Sequence, residues 1–219
     1  MKIDDLERIF LQHEDAEQAQ KMSEYLQGKF PHFGIQSPLR RELTKEFMAE
    51  EAAKKQIDWA VIDTLWEKPE REFHQLACDL LIKMEKFIRV DDLPKIRVLA
   101  LQNAWWDSVD ALTKASFRHL LPFGQEVKLA LTAWSVDENF WIRRMAITSQ
   151  VLAKEKTDRG LLAVVICNNF GSDEFFINKA IGWVLRDFSK TDPDWVRDFV
   201  LEHDSDLNQL SKREAVKFL

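Results

Sequence analysis

Apolar residues along the chain recur at the i, i+3, i+4, i+7 spacing of a helix face, and no stretch alternates as a half-buried strand would. The clearest stretch runs from Asp173 to Ser189. Its Ile177, Ala180, Ile181, Val184 and Phe188 form one stripe, which predicts an amphipathic helix facing a core. A second helix is predicted from near Glu138, with Ile142, Met145, Ala146 and Ser149 on its core side. Ser37-Pro38 and Asp192-Pro193 each read as an N-cap followed by proline at the first helical position. Breaks fall near Phe33-Gly34, Pro69, Pro94, Pro122 to Gly124 and Gly171.

The helical segments repeat. SPLRREL, PEREFHQLA, AWWDSVDAL, NFWIRRMAI, EFFINKAI and LSKREAV share a helix start followed by a helical apolar pattern. Aligned on Leu39, Phe73, Trp106, Trp141, Phe176 and Ser211, they step by 34, 33, 35, 35 and 35 residues. A period of this length holds two helices and a short turn, and atypical first and last units would cap the stack. With no long linker or charge block interrupting the series, the expectation is one domain over residues 1–219. Its fold class is all-α, an α-solenoid of about six HEAT-like helical pairs.

Composition supports helices and removes several kinds of chemistry. Six glycines and six prolines in 219 residues are about 5%, against roughly 12% in ordinary domains. No apolar run approaches the ~18–20 residues of a membrane span. The opening MKIDDLERIF carries acids where a signal peptide is basic and then apolar, so a cytoplasmic location without a membrane partner is expected. Cys78 and Cys167 make neither a disulfide framework nor a zinc site. His13, His32, His74, His119 and His203 lack metal-ligand spacing, and there is no phosphate-binding glycine loop or nucleophile elbow. Neither a metal nor an organic cofactor is expected.

Charge complicates the picture. The balance of 31 basic and 37 acidic residues gives −6, which taken whole argues against a nucleic-acid partner. The distribution matters more: residues 1–139 carry 19 basic and 25 acidic side chains, whereas residues 140–219 carry 12 of each. Near the aligned starts lie Arg40, Arg41, Arg71, Arg143, Arg144, Lys179, Lys212 and Arg213. If the second helix of each pair lines the concave side, these cations gather into a basic groove. The alternative is scattered surface charge.

Two segments break the helical pattern. Opposite the stripe of the 173–189 helix lie Lys179, Trp183 and Arg186. Trp183 either packs on a neighbouring helix or contacts nucleic acid while Lys179 and Arg186 hold phosphates. Arg144 occupies the position matching Lys179 one repeat earlier. The third repeat, N103-A-W-W-D-S-V-D110, has Val109 at that position, and its Trp106 and Asp110 share a helix face. Asp110 aligns with Met145 and Ala180 on the apolar stripe, where a carboxylate is costly without a partner. It is either a functional residue or half of an i, i+4 salt bridge to Lys114. Trp105 points elsewhere and reads as core.

Over essentially its whole length the chain resembles the AlkD family of DNA alkylation-repair glycosylases. The matching stretches are M22-S-E-Y-L, F33-G-I-Q-S-P-L-R-R41, W66-E-K-P-E-R-E-F73, W105-W-D-S-V-D110, F175-F-I-N-K-A-I-G-W-V-L-R186 and S211-K-R-E-A-V216. The resemblance implies a HEAT-like solenoid that holds duplex DNA in a concave basic groove and hydrolyses the N-glycosidic bond of cationic N3- and N7-alkylated purines, without a cofactor. It puts the catalytic residues at Trp106 and Asp110, a groove tryptophan at Trp183, a DNA-contacting arginine at Arg144 and an N-terminal tyrosine at Tyr25. The expected partner is double-stranded DNA carrying alkylated purines, and the expected state is a monomer. The competing function is a non-catalytic HEAT-like module for unusual DNA structures or a protein partner.

Overall fold

Capping side chains set half of the helix starts. In the computed structural model, which describes residues 2–219, carboxylate or amide oxygens of Asp15, Asp58, Asn139, Asp158, Glu174, Asp192 and Asn208 accept from backbone N–H groups of the first turn that follows each. Among the described residues the chain forms fourteen α-helices and no strand. The first six are α1 (Ile3–Gln12), α2 (Ala16–Tyr25), α3 (Ser37–Leu43), α4 (Lys45–Ala53), α5 (Trp59–Glu67) and α6 (Arg71–Lys83). The other eight are α7 (Leu93–Leu101), α8 (Trp106–Phe117), α9 (Gln125–Trp134), α10 (Phe140–Thr148), α11 (Arg159–Cys167), α12 (Phe175–Phe188), α13 (Pro193–Glu202) and α14 (Gln209–Ala215).

Each aligned repeat position falls in the first turn of a helix: Leu39 in α3, Phe73 in α6, Trp106 in α8, Trp141 in α10, Phe176 in α12 and Ser211 in α14. Regular pairing begins at α5 and runs through five pairs. The first repeat is different, being built from the four helices α1–α4. The cap ahead of α3 is also displaced by one residue. Gln36 takes that place and Ser37 is already helical, while Asp192 caps Pro193 as the sequence predicts. The fold is of the all-α, α-solenoid class.

The chain divides into two compact units, one ending at Ile88 and the other beginning at Arg89. In the first, the Phe10 ring lies 5.7 Å from Phe33 and 5.1 Å from Phe73, so α1, the loop between α2 and α3, and α6 share one core. The loop is held by the buried Glu72, whose Oε1 accepts from the N–H groups of Gly34 and Ile35 at 3.0 and 3.1 Å. Gly34 sits at φ +89°, and a Cβ there would lie 2.1 Å from the Asp15 carbonyl oxygen, so only glycine fits.

The second unit is two-layered. Helices α8, α10, α12 and α14 each pack against the next, and α7, α9, α11 and α13 back them. The α12 stripe predicted from the sequence is buried at all five positions, as are the four core positions predicted for α10. Helices α12 and α14 approach closely at Gly182, where a Cβ would stand 2.5 Å from Glu214 Cβ and 3.1 Å from the Ser211 carbonyl oxygen. Ser211 completes the seam by donating its hydroxyl to the Asn178 carbonyl at 2.8 Å.

The space around two glycines, one at this seam and one away from it, gives their substitutions opposite signs. Gly182→Ala overpacks the seam and is expected to cost about 1–3 kcal/mol. Gly160→Ala in α11, where a Cβ meets only Asp158 Oδ1 at 3.4 Å, is expected to stabilise by about 0.5–1 kcal/mol. Chemical denaturation of the two variants checks both signs.

Candidate functional site

The site is assembled at the start of α8. Trp105 is extended (φ −156°, ψ 160°) and buried, and its ring sits 5.7 Å from Trp141 and 5.3 Å from Phe176, fixing where α8 begins. One residue on, half-buried Trp106 opens the helix, and Asp110 follows one turn later on the same face. Asp110 does not pair with Lys114. Arg144, one repeat along on α10, reaches it as a planar fork, Nε donating to Oδ1 and Nη2 to Oδ2, both at 2.8 Å. The third side of the guanidinium is also used, since Nη1 donates to the Phe176 carbonyl on α12 at 2.7 Å.

One arginine thus ties together three neighbouring helices. Its side chain is 5% exposed, whereas that of Asp110 is 20% exposed. Burial pushes the Asp110 carboxyl above the ordinary aspartate value, and the guanidinium beside it pulls the other way. The Arg144 guanidinium carbon lies 5.9 Å from both the Trp183 and Phe176 ring centres. Asp110, Arg144 and Trp183, named from the sequence, therefore converge, and Trp106 stands on the Asp110 face.

Sequence reasoning missed two parts of this arrangement. Trp141, Phe176 and Phe140 form an aromatic floor, with ring centres 4.5 Å apart for Phe140–Trp141 and 4.8 Å for Trp141–Phe176. The other part is Glu214 on α14, only 4% exposed, which receives Lys179 Nζ at 2.9 Å, Lys217 Nζ at 2.8 Å and Arg186 Nη1. The signal was in the repeat: Val109, Arg144, Lys179 and Glu214 occupy one register, so Lys179 and Glu214 are opposite charges at matching positions of adjacent repeats. These contacts hold Lys179 and Arg186, on either side of half-buried Trp183, in fixed positions.

Most of the remaining expected DNA contacts also have internal partners. In the first unit Arg40 is buried, donating to Gln75 and, at 3.0 Å, to Asp79. Arg71 is buried with its guanidinium 3.9 Å from the Phe30 ring centre. Arg41 is exposed, and Tyr25 is 71% exposed. In the second unit half-buried Arg143 donates to the carbonyls of Asp137 and Glu138, and Lys212 pairs with Asp204 at 2.9 Å. Arg213 is exposed. Among the described residues no helix is long and apolar enough to cross a membrane, and no three His, Cys, Asp or Glu side chains cluster to hold a metal ion.

Residues 6–219 match the family model of the DNA alkylation repair enzymes. The chain belongs to that family. A solved structure described as a predicted DNA alkylation repair enzyme from Enterococcus faecalis is 34% identical and superposes with a TM-score of 0.83, over 94% of this chain and 96% of that one. No curated protein matches. As a member of the family the chain acts in DNA alkylation repair, and its all-helical fold is shared with the Enterococcus protein.

Two measurements test the electrostatics of this repair protein. Arg144→Met leaves a partly buried carboxylate and the Phe176 carbonyl without their donor. A loss of about 3–5 kcal/mol in chemical denaturation is expected. Arg144→Lys restores the charge without the three-sided fork, so it should recover only part of this. The second concerns Glu214, which Lys217 and Lys179 hold down to about 2 from the ordinary 4.5. A depressed carboxyl favours the folded state above its ordinary value, and that contribution fades as pH falls from 4.5 towards 2. Denaturation across that window should show stability rising with pH, and Glu214→Gln should remove this part of the slope.

Proposed function

We propose that the chain is a monofunctional alkylpurine DNA glycosylase, hydrolysing the N-glycosidic bond of cationic N3- or N7-alkylated purines in duplex DNA. The observation that carries this reading is the Asp110 carboxylate, gripped on both oxygens by buried Arg144 yet still 20% exposed. It lies on the Trp106 face, and Trp183 stands against Arg144.

An alkylated purine is already a cationic leaving group, so its departure needs little general-acid help. As the C1′–N bond breaks, the electron pair goes to the purine, which leaves neutral, and the positive charge moves to the deoxyribose. A carboxylate fixed before the reaction stabilises that charge without reorganising, most effectively where water is scarce. The Arg144 fork takes one acceptor position on each Asp110 oxygen and leaves others for a water. That water adds its oxygen to C1′, and its proton passes to Asp110 and on to solvent. The products are a free base and an abasic site. Trp106 and Trp183 offer negative ring faces to the cationic sugar and base, at ~0.5–2 kcal/mol per contact.

The remaining assignments rest on the same reading. Residues 1–219 act as one functional domain and as a monomer on double-stranded DNA. Tyr25, Arg41, Arg143, Lys179, Arg186, Lys212 and Arg213 are proposed to meet the strand. Arg40, Arg71 and Arg144, expected from the sequence to do so directly, are buried and internally bonded. Their proposed part is to position the helices that carry the contacts.

The test is release of N7- or N3-methylpurine from a defined methylated duplex without added metal. Asp110→Asn, assayed below its own unfolding transition, is expected to slow release by about 10²–10³-fold, the usual loss for one preorganised charge contact. An unchanged rate removes Asp110 from the chemistry. Duplex binding with no release by the unaltered protein would instead mark a non-catalytic DNA-binding module.

A further inference from the structure

In the first unit a cleft of about 310 Å³ opens between α3, α4 and α6, lined by Arg41, Thr44, Lys45, Met48, Asp79, Ile82 and Lys83. Arg41, Lys45 and Lys83 are exposed, and among the described residues none of them forms an ion pair. This sets them apart from the other cations of the proposed DNA contacts, most of which have an internal partner. Asp79, the one carboxylate on the lining, is taken by Arg40 Nη2 at 3.0 Å and offers little compensation. Three uncompensated cations around one concavity repel each other.

Lys45 adds to the imbalance. It is the first residue of α4, where the positive end of the helix dipole disfavours a cation. The Thr44 hydroxyl makes no cap there and donates to the Arg40 carbonyl at 2.8 Å. Arg41 and Lys83 lie in the last turns of α3 and α6, where the negative helix end favours a cation, so Lys45 alone opposes its dipole; a bound anion offsets that and the repulsion among the three. The volume is near the lower limit of small-molecule sites, right for phosphate and adjoining sugar rather than a whole nucleotide. Met48 and Ile82 supply apolar floor for the sugar.

We infer that this cleft binds phosphate groups through Arg41, Lys45 and Lys83. The favoured source is the sugar-phosphate strand of DNA, an assignment resting on the partner proposed above; a free polyphosphate presents the same chemistry. Contacts to phosphates hold the strand without reading its bases, so the cleft contributes affinity and register rather than lesion choice.

The experiment compares the full chain with Lys45→Ala/Lys83→Ala, which removes exposed, mutually repelling cations and so should not lower the thermal midpoint. Affinity for an undamaged duplex is measured over a salt series, and pyrophosphate binding by calorimetry. The double variant is expected to bind duplex more weakly, with the slope of log K against log salt shallower by about 2, one for each lost phosphate contact. It should also lose the pyrophosphate heat. Lost pyrophosphate binding with an unchanged duplex slope would assign the cleft to free polyphosphates. An unchanged slope together with unchanged pyrophosphate binding overturns the inference. Base release by the unaltered protein is scored separately. Its absence refutes the glycosylase reading and leaves the phosphate cleft standing or falling on its own data.

Discussion

Three hydrogen bonds from one buried arginine hold the candidate site together. Arg144 belongs to α10, its carboxylate partner to α8 and its carbonyl partner to α12, so one planar group sets the spacing of three successive inner helices. Burying a guanidinium is costly, and the cost is offset only when every donor edge is used. Geometry therefore fixes the helices as much as the helices fix the geometry. Lysine could match the charge but not the fork, and any drift of α8 against α10 would open two bonds at once.

Pairing of charge between repeats recurs along the stack. Ion pairs join residues about one repeat apart: Arg40 with Asp79, Arg97 with Asp137, Lys128 with Asp158, Arg159 with Asp192 and Lys179 with Glu214. Each pair takes up one acid and one cation, so the balance of −6 is untouched by them, and what matters to a strand is where the unpaired groups lie. In the proposed reading, the groups of the first unit that meet a strand are Arg41, Lys45 and Lys83. Bulk charge says little here because it averages over surfaces whose local charge differs.

The repeat was legible because helical periodicity and a constant step are local properties, and the second helix of each of the five regular pairs begins where the period says. The first repeat was less so, since α1–α4 depend on Glu72 bonding the Gly34–Ile35 backbone, a contact spanning almost forty residues. Within the site, Asp110 stood out as a carboxylate in an apolar register, and Trp183 as a ring between cations. The partner of Asp110 was hidden: Lys114 is nearer in sequence, but Arg144 is nearer in space. Glu214 escaped notice because its meaning depends on side chains from α12 that only the folded stack brings to it.

Sharing of Glu214 among Lys179, Arg186 and Lys217 also constrains how the sequence can drift. Each cation alone could be replaced at modest cost, because the other two would still satisfy the carboxylate. Losing the carboxylate first would leave three like charges crowded beside Gly182, where the backbone has no room to relax. Change is thus easy in one order and blocked in the other, so this corner of the protein should evolve as a linked set, with the acid the last member to go.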